Sequence, residues 1–264
     1  MRYTRAFSTL GSPAGTIDDV IEIARVQGLD AVELRALGGT VDLPAHLAER
    51  ERSPEELASR LSGSPIRIAS LDTSLHLVGG TAEREKFLEF LPWAEALGVR
   101  WLRVFDGGKA ADEAELDEAA DTVAWWQARR RENGWRADIM VETHDSLADS
   151  ESIRRFVAAA PGTALLWDAF NTWLKSGESP AATWRLIRPH VVHVHVKDAV
   201  LVPKDRHPFT YVLPGRGEFP MAPLAAALRS EFRGVVSLEW ERLWHPYLPP
   251  VEEALRAAAQ ANWW

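Results

Sequence analysis

Residues 191–198 read VVHVHVKD. Side chains alternate faces along a β-strand, so Val192, Val194 and Val196 share one side, and His193 and His195 the other. The valines suit a face packed on helices. Both histidines therefore point to the inside of a sheet, with His195 nearer the strand's end.

Working outward, further strand-like runs fall at about 5–10, 30–35, 65–71, 100–105, 136–142, 163–168 and 234–240. Between them lie segments with helical spacing, such as Ile17, Val20, Ile21 and Ala24, or Phe87, Leu91 and Ala94. The stretch 113–133 places acids first and bases last, as the helix dipole favours, and Gly134 follows as a stop. Eight strand signals, each followed by a helix signal and with no long linker, predict an α/β chain folded as a single (β/α)8 TIM barrel, one domain over residues 1–264. An open doubly wound sheet would want fewer strands and a phosphate-binding glycine loop. GSPAG at 11–15 lacks that spacing and precedes no phosphate-loop lysine. The long connection at about 199–218 follows a strand and is expected on the active face.

The bulk numbers agree. The chain has 264 residues, 46% hydrophobic and 26% charged, with net charge −8. That balance is globular, and it argues against nucleic acid, which needs clustered Lys and Arg. Absence of cysteine excludes disulfide scaffolds, thiolate zinc sites and Cys nucleophiles. No apolar run approaches the ~20 residues of a membrane span. The first residues carry no apolar core of signal-peptide length, so the expected compartment is the cytoplasm.

In a barrel, residues at the C-terminal strand ends share one mouth. The fifth strand ends at Glu142 and the sixth at Asp168; the seventh offers His195, and in the eighth, GVVSLEWE, Glu239 shares a face with Ser237. Three carboxylates and one imidazole at the same height suit one divalent ion, Mn, Mg, Co or Zn. Each alone reads equally well as a hydrogen-bonded loop residue. Together they predict a metal centre, because ionisable groups in apolar strands are costly unless paired or coordinated.

The ordered set VETHD, WDAF, HVHVKD, PGRGEF and SLEWE between 142 and 241, with AVELR (31–35) and WLRVF (101–105), resembles the xylose isomerase-like TIM-barrel superfamily over nearly the whole chain. That group contains sugar isomerases and epimerases, inosose isomerases and dehydratases, and endonuclease IV. The resemblance implies that Glu142 and Glu239 bind metal and also move protons, through an enediolate held on the metal. Carboxylates on opposite faces of the substrate give epimerisation; one alone gives aldose–ketose exchange. The implied function is a metal-dependent isomerase or epimerase of a sugar, inositol or keto-sugar derivative. A lyase or dehydratase is the alternative. An endonuclease IV-like phosphodiesterase draws on Asp205, His207 and His76, and a non-catalytic sugar sensor also stays open.

The family commonly has Asp-x-x-His after the sixth strand, where this chain has Asp168-Ala-Phe-Asn171. A neutral amide there can hydrogen-bond a hydroxyl but carries no proton. His144, Lys197 and Arg206, the last preferred to Arg216, are further substrate-binding candidates, each with a plain structural alternative. Trp173 and Trp244, in predicted loops, offer flat faces to a sugar, whereas Trp167 and Trp240 alternate away from the centre. Glu33 and Arg35 share an inward face and are read as an internal ion pair, with Glu33 near the mouth. His193 is read as a hydrogen-bonded core residue. The Trp263-Trp264 end is expected to dock on the barrel or on a partner subunit. The expected partner is a small polyol or sugar, with a homo-oligomer allowed and no membrane or nucleic acid.

Overall fold

A computed structural model describes residues 3–264. Its barrel strands are β1 (Thr4–Phe7), β2 (Ala31–Leu34), β3 (Arg67–His76), β4 (Trp101–Phe105), β5 (Asp138–Glu142), β6 (Ala164–Asp168), β7 (Val191–Val196) and β10 (Val235–Leu238). A small hairpin, β8 (Ala199–Val200) and β9 (Thr210–Tyr211), lies between the last two. The barrel strands run in the order β1-β10-β7-β6-β5-β4-β3-β2, every pair parallel. A parallel bridge between Ser8 and Glu33 joins the two ends. The chain is thus a single (β/α)8 barrel.

Helix chemistry follows the sequence where local signals agree. Helix Glu113–Asn133 begins with Asp112 accepting from the Glu115 amide and ends on Gly134 at φ 66°, the left-handed conformation glycine adopts freely. The Phe87–Leu91–Ala94 stripe does not lie on one helix but straddles two, Arg84–Leu88 and Leu91–Leu97. Pro92 explains the break: its missing N–H and its ring cannot continue a helix from upstream. The third strand runs beyond the expected 65–71, because a bulge between Asp72 and His76 carries it on to pair His76 with Phe105.

The 199–218 connection is the β8–β9 hairpin plus a turn clamped by one carboxylate. Asp198 Oδ2 accepts from the amides of Gly215 (2.8 Å) and Gly217 (2.9 Å), and Oδ1 from those of Ala199 and Phe219. Tryptophans fasten the outer layer. Trp167 stacks on Trp184 of a flanking helix, and the Trp240 indole donates to the Pro249 carbonyl. Trp263 is buried, 6.4 Å from Phe219, so the chain's end docks on its own barrel. No helix of the described residues is long and apolar enough to cross a membrane.

Candidate metal centre

Parallel register sets the height of the inward side chains. Asp168 and His195 are partners between β6 and β7, and His195 is opposite Ser237 of β10. Glu142 closes β5, and Glu239 follows β10 with its amide still bonded to the Val196 carbonyl. The result is a compact cluster: one ligand atom each from Glu142, Asp168, His195 and Glu239 lies within 4.8 Å of the others, all four residues buried. His195 Nδ1 stands between the two glutamates, 3.3 Å from Glu142 Oε1 and 3.4 Å from Glu239 Oε1.

Each of these groups is held from behind. Asp168 caps the helix Ala169–Ser176, its Oδ1 accepting from the Asn171 amide at 2.8 Å, which turns Oδ2 toward the centre. His195 Nε2 lies 2.9 Å from Glu33 Oε2. Glu142 Oε2 faces Arg103 Nε at 3.3 Å. Glu239 is bonded to Lys197, whose ammonium also reaches Asp168 Oδ2 at 2.8 Å and Glu241 Oε1 at 2.7 Å. Tyr211 donates to the same Glu241 oxygen.

The donor set fits a divalent cation. Glu142 Oε2, Asp168 Oδ2 and His195 Nδ1 are buried without a well-aligned hydrogen bond. Around them Glu33, Asp72, Glu142, Asp168 and Glu239 are buried, among the described residues, against three permanent buried cations, Arg35, Arg103 and Lys197. Two uncompensated negative charges in a low-dielectric interior are costly, and a divalent ion supplies that charge. Proton affinities reflect the same deficit. Burial raises the Asp168 carboxyl although Lys197 pulls it down. Burial also raises Asp72, helped by the Glu33 charge. His195 is raised well above an ordinary imidazole, because the fields of Glu33 and Glu239 overcome its burial. Glu142 and Glu239 stay below the usual carboxylate range: burial opposes this, but Arg103 holds the first down and Lys197 the second.

The other candidates separate into those at the centre and those away from it. Lys197 is at the centre, engaged by three carboxylates. His144 is at the rim, its Nδ1 3.0 Å from Asp145 Oδ1 and its ring packed on Phe105. Its pKa is raised to about 9, the Asp145 hydrogen bond and the Glu142 charge outweighing burial. Asn171 is half-buried in the first turn after Asp168. Trp173, expected in a loop, instead lies on the helix Ala169–Ser176, which Asp168 caps, and packs on Phe170 and Phe219. Arg206 is exposed in the hairpin loop, and Trp244 is 53% exposed. His76 pairs with Glu83 and stacks on Phe105. The expected Glu33–Arg35 ion pair is not formed. Glu33 Oε2 lies 2.8 Å from His193 Nε2 as well as close to His195, while Arg35 turns to the Asp72 carbonyl and Ser74. Once buried imidazoles face it across the barrel, Glu33 has a nearer partner than its strand neighbour.

Sequence reasoning overlooked Arg103, Asp72, Glu241 and Tyr211. The strand parity of WLRVF does put Arg103 on the inward side with Phe105, and that of RIASLDTSLH aligns Asp72 with Ser70. Parity also continues from Glu239 to Glu241 in SLEWE, while nothing local marks Tyr211.

This chain belongs to the xylose isomerase-like TIM barrel family, whose model matches residues 21–263. Among curated proteins it is similar to the uncharacterized protein YihM of Escherichia coli (strain K12), 21% identical over 184 residues, 70% of this chain. The match spans only about half of that relative's length, 53%. Among solved structures it resembles the probable 3-DHS dehydratase AsbF of Bacillus anthracis (18% identity, TM-score 0.78, 99% of this chain and 98% of the other). It also resembles IolI protein with a binding zinc atom (19%, 0.73, 98% and 96%). A third is the 3-keto-D-glucoside 4-epimerase YcjR of E. coli (13%, 0.68, 98% and 99%). At such identities the likeness speaks to the fold.

Proposed function

We propose that this chain is a divalent-metal-dependent enzyme that moves a proton beside the carbonyl of a sugar, inositol or keto-sugar derivative, as an isomerase or epimerase. The observation that carries the reading is the buried convergence of Glu142, Asp168, His195 and Glu239 within 4.8 Å. Zinc in the similar IolI structure and the activity named for YcjR support it. Mn, Mg, Co and Zn all suit this donor set.

When bound there, the ion supplies Lewis-acid stabilisation of negative charge on a carbonyl oxygen. The protein's own groups do the rest. Arg103 keeps Glu142 ionised and Lys197 keeps Glu239 ionised, so both carboxylates are free of a proton near neutral pH. They flank His195 Nδ1 at 3.3 and 3.4 Å, a disposition suited to the two faces of one bound substrate. His144, protonated up to about pH 9, presents an N–H donor at the rim. Asn171 and Lys197 offer further donors to hydroxyl groups, and Trp173 and Trp244 an apolar border.

A second reading is a dehydratase, and His144 favours keeping it. A protonated imidazole at the rim can protonate a departing hydroxyl β to the carbonyl. One experiment tests both. Metal-stripped protein is titrated with Mn²⁺ and Co²⁺, then incubated with a ketose and keto-inositol panel in heavy water. Deuterium incorporation with a new epimer or aldose supports the first reading, and a new ultraviolet-absorbing enone the second. Protein that binds no divalent ion refutes both.

A further inference from the structure

Arg35 differs from the other cations of the centre. It follows β2 on the side of the metal ligands and is 6% exposed. Arg103 and Lys197 each face carboxylates. Among the described residues no carboxylate lies within 4.0 Å of the Arg35 guanidinium. Its only side-chain bonds go to the Asp72 carbonyl at 3.3 Å and Ser74 Oγ at 3.1 Å. Most of its N–H donors are therefore unfilled. Nε and Nη1 of Arg103 are sealed in the interior without a partner, whereas the equally unpartnered Nε of Arg35 is not sealed. That nitrogen reaches open space.

That space is the mouth. Ser74 is exposed on the segment of β3 where pairing with β4 breaks between Asp72 and His76, and the bulge pushes it outward beside Arg35. The guanidinium feels the charges of both Glu142 and Glu239, so it adjoins the centre. Even so its pKa is pushed down to about 10, first by burial and then by Arg103. A buried guanidinium with no carboxylate in contact, on which Asp72, Glu142 and Glu239 act only from a distance, leaves donors unpaired at a cost to the protein alone. The arrangement becomes favourable when a ligand supplies the anion.

We propose that Arg35, with Ser74 beside it, is the subsite for a carboxylate on the substrate, so that the polyhydroxylated substrate is an acid. This rests on the metal-centre reading above. A planar two-oxygen group matches the edge of one guanidinium. A phosphate dianion would bring a second charge toward five buried carboxylates, and Arg103 and Lys197, the other buried Arg and Lys among the described residues, already face carboxylates.

The test compares wild type with Arg35→Met and Arg35→Lys, each Mn²⁺-loaded, by thermal unfolding with glycolate, its neutral amide glycolamide, or inorganic phosphate at matched ionic strength. Glycolate should protect wild type by about 2 °C or more beyond glycolamide. That margin should vanish in Arg35→Met and survive in part in Arg35→Lys. Arg35→Met without ligand should melt close to wild type, since no ion pair within 4.0 Å is broken and only the bonds to the Asp72 carbonyl and Ser74 are lost. An absent margin in wild type, an equal margin in Arg35→Met, or a larger margin for phosphate overturns the carboxylate subsite. So does a marked loss of stability in Arg35→Met, which would make Arg35 a structural clamp. Mn²⁺ titration of the same samples separates the two readings. Normal Mn²⁺ binding without the margin defeats the subsite alone; the margin without Mn²⁺ binding defeats the metal centre alone.

Discussion

Oε2 of Glu33 lies 2.9 Å from Nε2 of His195, with both side chains fully buried. A carboxylate there accepts the Nε2 proton, so that Nδ1, once a cation displaces its own proton, would offer its lone pair to the space between Glu142, Asp168 and Glu239. Glu33→Gln keeps the shape and weakens that acceptor. Partners of this kind set ligand orientation, and their loss costs roughly 10–100-fold in metal affinity. Calorimetric Mn²⁺ titration should show a drop of about that size in a protein whose circular dichroism is unchanged. An unaltered affinity would show that His195 needs no orienting partner.

Lys197 neutralises Asp168, Glu239 and Glu241 from inside the barrel. Lys197→Met leaves those carboxylates without their cation, and breaking a buried pair from one side costs about 3–5 kcal/mol. The urea midpoint of the metal-free variant should fall accordingly. Saturating Mn²⁺ should recover part of the loss, because the ion replaces some of the missing charge.

His144 carries the clearest pH signature. Its folded pKa, raised to about 9 from an ordinary 6.5, means the folded state holds this proton more tightly. The resulting stabilisation is complete below about pH 6.5 and disappears as pH rises through about 9. Imidazole proton resonances should titrate near 9 in wild type. In Asp145→Asn, which loses the charged partner 3.0 Å away, they should titrate markedly lower.

The Lys-Asp pair and PGRGEF were separate motifs in the sequence, and the fold joins them. A Cβ on Gly217 would overlap Asp198 Oδ1 and the Ala199 carbonyl. Gly217→Ala should therefore release the turn from Asp198, loosening the hairpin that carries Tyr211. Faster amide exchange across 199–219, with the barrel strands still protected, would register it.

How far these relationships could be read from the chain depended on their range. The alternation in VVHVHV fixed which way His193 and His195 face, and strand ends placed Glu142 and Asp168. Parity is local and needs only the strand itself. Partner choice is not local. Glu33 and His195 are 162 residues apart and meet because the barrel closes between β1 and β2, so a neighbour-based reading matched Glu33 to Arg35 instead. Arg103 carried its signal in plain view, an arginine at an inward strand position. Arg206 was placed by analogy and Trp244 by its aromatic face, both on loops whose course no periodicity determines, and both lie exposed.

Glu142 and Glu239 bear on the reaction most directly. Replacing either by glutamine keeps an oxygen donor for the cation but removes a proton acceptor. Removing a positioned acid or base typically costs 10²–10⁴-fold in rate. If the two carboxylates serve opposite faces of one substrate, each variant should lose conversion yet still exchange solvent deuterium into only one epimer, and the two variants should select different epimers. Nuclear magnetic resonance of each epimer in heavy water, with Mn²⁺ occupancy measured in parallel, reads this out. If both variants exchange the same epimer, one carboxylate is the sole base and the chemistry is aldose–ketose exchange. Loss of all exchange together with loss of Mn²⁺ would instead place both glutamates in the service of the cation, because Arg103 and Lys197 would then be holding ligands and not bases.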